Sequence, residues 1–259
     1  MSHAAVVAPS PDWRLAAVLL ALLAVAVTAS RVAHLSVERE TVVAAVRAVL
    51  QLTAVSLVIT AALSSIGWSL LFSLVMLAVA TRTSAGRIGA SGRQVAWVAL
   101  AITAGTLPVL GLVLGSGTIP FNGAGLVPTA GIIIGNTMTA ATLTGRRAYD
   151  ELDAHFGSYE AGLALGLRSP DAAVEVLRPS AKEALTPSLD QTSTVGLVTL
   201  PGAFVGVLLG GGTPLQAGAA QVLVLVGILA AQAITCGVLL RLVAHGRVVR
   251  GDMRGRYPR

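Results

Sequence analysis

An all-α protein threaded several times through a lipid bilayer is what this sequence predicts, and three observations predict it. The 259 residues are 54% hydrophobic and only 12% charged, with a mean hydropathy of +0.80, outside the range of an ordinary soluble domain. The apolar residues gather into runs near the ~20 that a helix needs to cross the hydrocarbon core. The basic residues gather in alternate connections between those runs.

Seven runs are read as spans: 13–30, 41–63, 68–81, 95–114, 125–144, 192–210 and 216–243. The third is the shortest and calls for a thinned bilayer or little tilt. For the first, cleavage as a signal peptide is the competing reading, with Ala24-Val25-Ala26 as the peptidase site; Arg14, nearly cancelled by Asp12, makes a poor basic leader. Long apolar runs argue against a β-barrel, whose strands alternate over ~10 residues.

Orientation follows from the arginines. With the N-terminus outside and the C-terminus inside, every basic residue except Arg14 and Arg47 lies in an inner connection or the inner tail. Connections 64–67, 115–124 and 211–215 carry no charge. A net charge of +6 therefore reports topology and not a nucleic-acid partner. One cysteine, Cys236, excludes a disulfide framework within the chain.

The inner segment 145–191 is much the longest connection. Its helix starts predict several short helices: Ser158 as a cap, Ser169-Pro170 opening another helix, and Ser180 with Glu183 as a capping box. Arg147 and Glu151, four apart, share a helix face. The segment feeds into TVGLVTLPGAFVGVLLGGG, where Gly202, Gly206 and Gly210 line one helix face and predict a close helix contact beside Pro201. Gly131 and Gly135 make a second such step.

Within the spans, Arg47 either snorkels to the headgroups, ~9 Å along its helix, or is buried with Gln51 one turn later. Asn136 lies deeper, bonding across a helix contact or coordinating cargo, with Met138 and Thr139 as flanking liners. No span contains Asp or Glu, which disfavours a carboxylate proton relay. No P-loop is present, and Gly89-Ala90-Ser91-Gly92 has no intramembrane histidine to serve as its base.

The order Glu160-Ala161-Gly162, Gly166, Val176-Leu177-Arg178-Pro179 resembles the cytoplasmic signature of importer-type ABC permeases, with its spacing kept throughout. RAVLQL (47–52), GNTMTAATL (135–143), LALG (163–166) and VGLVTLPG (195–202) are similar to the permease family that includes bacterial iron-export ABC permeases and plant aluminium-sensitivity permeases. The chain departs from that family's methionine pair after LPG, having Ala203, Phe204 and Val205 before Gly206. The resemblance implies one permease domain over 1–259 in the cell membrane, exporting a metal ion or small solute. It also implies a separate ATP-binding subunit that holds ATP and magnesium, docked on the Glu160 to Pro179 knob, and a second permease copy. An ion-gradient carrier or channel without an ATPase is the alternative; a membrane enzyme is a third reading.

Overall fold

The computed structural model describes residues 12–250, and among these the chain is helical, with one isolated bridge between Val195 and Thr199 and no strand. It divides into two units, 1–61 and 62–259.

The first unit holds α1 (Trp13–Val32) and nearly all of α2 (Glu38–Leu63). The Asp12 carboxylate caps α1 by accepting from the Leu15 amide at 3.0 Å. Apolar side chains are exposed around both helices, among them Leu20, Leu22, Leu50 and Leu57. A helix that is apolar all round and exposed to this degree is suited to lipid, not water.

The second unit is built on two long helices, α5 (Gly123–Ala154) and α9 (Pro214–Ala244). Around them stand α3 (Ile66–Ile88), α4 (Gln94–Gly115), α6 (Phe156–Ala164), α7 (Ser169–Thr194) and α8 (Gly202–Leu209). α5 packs on α3, α4, α7 and α9, while α9 packs on α4, α5, α7 and α8. One apolar cluster joins the end of α3, the start of α4 and the ends of α5 and α9 to α6 and α7, through Ile88, Val98, Tyr149, Leu177 and Leu239. A second, around Leu110, Val113, Leu126 and Ile133, lies farther along α4 and α5. Arg87, Arg93, Arg147, Arg241 and Arg247 all belong to the first cluster's end, referred to below as the basic end.

Six helices among the described residues are long and apolar enough to cross a membrane, where seven spans are expected. The missing one is 192–210, which is not a continuous helix. α7 ends at Thr194, an irregular turn with Gly196 at φ +84° follows, and α8 has only eight residues. Pro201 lies at the N-cap of α8, where its missing N–H costs no helical bond, and the passage back to the start of α9 is shared between α7 and α8. The third span is also corrected. α3 has 23 residues, starting two residues earlier and continuing past the apolar run through Arg82 to Arg87.

Segment 145–191 is likewise less fragmented than expected. α5 continues to Ala154, and α7 is one 26-residue helix that passes through Pro179 and Pro187. Ser180 lies inside it and donates to the Leu177 carbonyl at 2.6 Å, so it forms no capping box. Its expected partner Glu183 instead pairs with Arg147 across the α5–α7 contact. Ser158 is two residues into α6 and does not cap it. Ser169-Pro170 does open α7.

The glycine ladder does not make the expected contact. A Cβ on Gly202 or Gly206 would meet no described atom within 4 Å, and on Gly210 only the helix's own carbonyls. The ladder is too short to matter within the chain, because Gly202 begins α8 and Gly210 caps it. Gly131 is in ordinary contact with Met76, and Gly135 faces open space. The close approach lies elsewhere, at Gly105 on α4. A Cβ there would sit 2.1 Å from Thr235 Oγ1 and 2.2 Å from the Ala231 carbonyl oxygen of α9.

Candidate functional site

At the basic end, α6 and the first turns of α7 form a compact knob. Gly166 turns the chain between them in the left-handed region, at φ +92°, where a side chain would be strained. Gly162 lets α6 lie against α7, since a Cβ there would be 3.1 Å from that of Ala172. Tyr159 is buried, and its hydroxyl is 2.8 Å from Ser169 Oγ. The knob is fastened to the bundle by Leu177, which is fully buried with Tyr149 and Leu152 of α5 and Leu239 and Val243 of α9.

A cleft of ≈ 350 Å³ opens on the knob. Gly162, Val176 and Pro179 line it together with Glu151, His155 and Glu175. Its rim is laced by exposed pairs, Glu151 with His155 at 3.2 Å and Glu175 with Arg178 at 2.9 Å, which add little stability but fix the local charge pattern. Glu160 and Ala161 are exposed beside it. Signature positions separated by up to 19 residues thus share one small surface, while Gly166 serves the turn.

The sequence reading missed a strap of residues 246–250 across the same end. Val248 is fully buried, the Val249 amide donates to Gln94 Oε1 at 3.4 Å, and Arg247 lies over the Trp97 ring at 5.3 Å. Arg250 lies over Tyr149 at 5.5 Å and reaches Asp150 at 3.1 Å. The only available signal was Val248-Val249, an apolar pair between arginines. Val248→Asp is expected to raise tryptic cleavage at Arg247 and Arg250 several-fold in isolated membranes, because a carboxylate cannot stay in that apolar site.

Mid-bundle, polar groups from three helices meet. Thr106 Oγ1 of α4 is 3.3 Å from Thr137 Oγ1 of α5, and Gln232 Nε2 of α9 donates to the Asn136 carbonyl at 3.1 Å. Of the expected path residues, Asn136 is half-buried, and its own amide donates to Ile132 O of the same helix at 2.9 Å. The bond across the helix contact therefore uses its backbone and not its side chain. Met138 packs beside the apolar cluster of α3, α4 and α5, and Thr139 is exposed, donating to Gly135 O. Arg47 and Gln51 are exposed on α2 in the first unit. Gln232 and Thr235 were missed, although with Gln221 they are visible in sequence as isolated polar residues in a long apolar run.

The model of the family described as "Uncharacterised protein family (UPF0014)" matches residues 13–246. The chain belongs to the UPF0014 family. It is a multi-pass membrane protein of that family, similar to the rice UPF0014 membrane protein STAR2, at 34% identity over 79% of this chain and 73% of that one. It is also similar to the Arabidopsis Protein ALUMINUM SENSITIVE 3, at 32% over 81% of this chain and 77% of that one. A shorter stretch, 48% of each chain, is 34% identical to the Escherichia coli Probable iron export permease protein FetB. No solved structure matches the chain. Within UPF0014, the matched region takes in the knob, the three-helix junction and all of the described chain except Asp12 and the last four residues.

Proposed function

We propose that this UPF0014 chain is the permease subunit of an ABC transporter and exports a metal ion or small solute, driven by a separate ATP-binding subunit. The observation that carries the reading is the knob: the residues of the permease-like signature converge on one cleft, and the helix bearing them continues into the bundle beside α5 and α9. The name of the FetB relative supports export and a metal cargo, and that of the ALUMINUM SENSITIVE 3 relative is consistent with a metal-linked role. In this reading the basic end is cytoplasmic, ATP and magnesium stay on the partner, and two permeases serve two ATPases.

The test is co-purification with an ABC ATPase from membranes expressing both. Glu160→Arg is expected to cut recovery of the ATPase at least tenfold, since Glu160 is exposed beside the cleft and bears no packing role. Glu183→Gln, away from the cleft, is expected to retain the ATPase. Failure of the wild-type chain to bring any ATPase would return the reading to an ion-gradient carrier or channel.

A further inference from the structure

We propose that the junction of α4, α5 and α9 is a buried cargo station for an uncharged solute rich in hydroxyl or amide donors, or for a metal carried inside such a solute. The proposal rests on the permease reading and names what that permease accepts. Gln232 is 2% exposed, and its Nε2 is spent on the Asn136 carbonyl. Its Oε1 has no partner among the described residues, and neither has the Oγ1 of Thr235, a residue with no exposure. Gln232 and Thr235 are three apart on α9, and so lie on neighbouring parts of one face. Thr106 and Thr137, both buried, share a contact on the adjoining helices.

Lipid offers no hydrogen bonds, so a bundle carrying unpaired buried acceptors bears their cost for as long as it stays closed. A purely structural junction would be better served by apolar groups of the same shape. Thr144 and Cys236, which make a 3.1 Å bond from hydroxyl to sulfur, show that polar groups nearby are otherwise matched. What these two groups lack is a partner: a ligand hydroxyl supplies a donor to Gln232 Oε1, and to the Thr235 hydroxyl it either donates or offers an acceptor.

Its chemistry also selects. The junction's side-chain oxygens are all neutral, and no group of three or more His, Cys, Asp or Glu stands among the described residues to hold a metal ion. Neutral oxygens in this number poorly offset the desolvation of a bare multiply charged ion. A polar solute sheds less hydration on entering, and a metal wrapped in such a solute presents the same donors outward.

The station is shut in this conformation by Gly105, which lets the α4 backbone close on the Ala231 carbonyl and the Thr235 hydroxyl. Separation of α4 from α9 at that contact uncovers Thr106, Thr235 and Gln232 together. α9 is the helix to move, because its far end is bound to the knob through Leu239 and Val243.

The experiment uses single cysteines in the full chain, in native membranes with its partners and ATP. In a Cys236→Ser background, Thr235→Cys and Gln232→Cys are treated with the charged thiol reagent MTSET, and Leu126→Cys, buried in the apolar cluster, is the dry control. Modification at 232 and 235 is expected at least tenfold faster than at 126, and sorbitol or ferric ion complexed by sorbitol is expected to slow it at least threefold. The two arms distinguish free solute from wrapped metal. Reaction no faster than at 126 overturns the station, and protection by ferrous ion alone but not by sorbitol or its ferric complex overturns the ligand class. Association with the ATPase is scored separately through Glu160→Arg, so a missing motor and a dry junction give different results.

Discussion

Gly105→Ala is expected to cause a marked loss of folded protein. The new methyl would stand 2.2 Å from the Ala231 carbonyl oxygen and 2.1 Å from Thr235 Oγ1. A hydroxyl can rotate away, but a carbonyl held in the backbone of α9 cannot, so α4 and α9 must part by roughly an ångström along a closely packed seam. Overpacking of this kind costs about 1–3 kcal/mol. Since about 1.4 kcal/mol is tenfold in an equilibrium constant, the unfolded fraction rises about fivefold to 150-fold. The measurement is the melting temperature of purified protein in lipid nanodiscs, with membrane abundance beside it. Gly206→Ala is the matched control. A Cβ there meets no described atom within 4 Å, and alanine is the better helix former by about 1 kcal/mol. Equal melting temperatures for the two variants would refute the close contact between α4 and α9.

Glycine spacing by itself could not reveal this. The four-residue step at Gly202, Gly206 and Gly210 is conspicuous in sequence, yet it falls on an eight-residue helix at the edge of the unit, whereas Gly105 has no partner glycine and makes the tightest approach. Which glycine is pressed depends on what lies across from it, and that is set by tertiary packing. Apolar runs, by contrast, report directly on transfer into lipid, and so α1, α2, α4 and α9 were legible with their ends shifted by a few residues, whereas α5 runs ten residues past the end of its apolar run. α3 was under-read because its last two turns carry Arg82, Thr83, Ser84 and Arg87 and leave the apolar pattern while remaining helical.

α7 was under-read for a different reason. Pro179 and Pro187 each remove a helical hydrogen bond, and a proline inside a run usually signals a break. Both are exposed, as are Glu175 and Glu183, whose carbonyls the prolines leave unbonded, so water or a polar surface satisfies them and the helix continues. Spacing placed the knob's residues near one another without showing what held them. Gln232 and Thr235 went unread because an isolated polar residue in an apolar run has no partner in the sequence; only the fold brings Asn136 to Gln232 and Gly105 to Thr235.

Leu177→Ala is expected to disconnect the motor from the bundle without detaching it. Leu177 is fully buried where α7 meets Tyr149 and Leu152 of α5 and Leu239 of α9, and a Leu→Ala change in such a site costs about 2–5 kcal/mol, part transfer and part cavity. The loss is concentrated at one attachment, so it loosens the knob locally before it unfolds the helices. Glu160 and Pro179 are exposed, half-buried Val176 lines the cleft, and all three remain to bind the ATPase. A push on the knob reaches α9 only through tight packing, because a slack contact deforms before it transmits. In the wild-type complex, ATP should therefore alter hydrogen exchange along α5 and α9 as well as in α6 and α7. In Leu177→Ala the ATP-dependent change should be confined to α6 and α7, with ATPase recovery near that of wild type, and Leu177→Met, which keeps the volume, should restore it. If ATP still altered exchange in α9 of the alanine variant as fully as in the wild type, force would have to travel by another contact, of which Arg147 with Glu183 between α5 and α7 is the next to test.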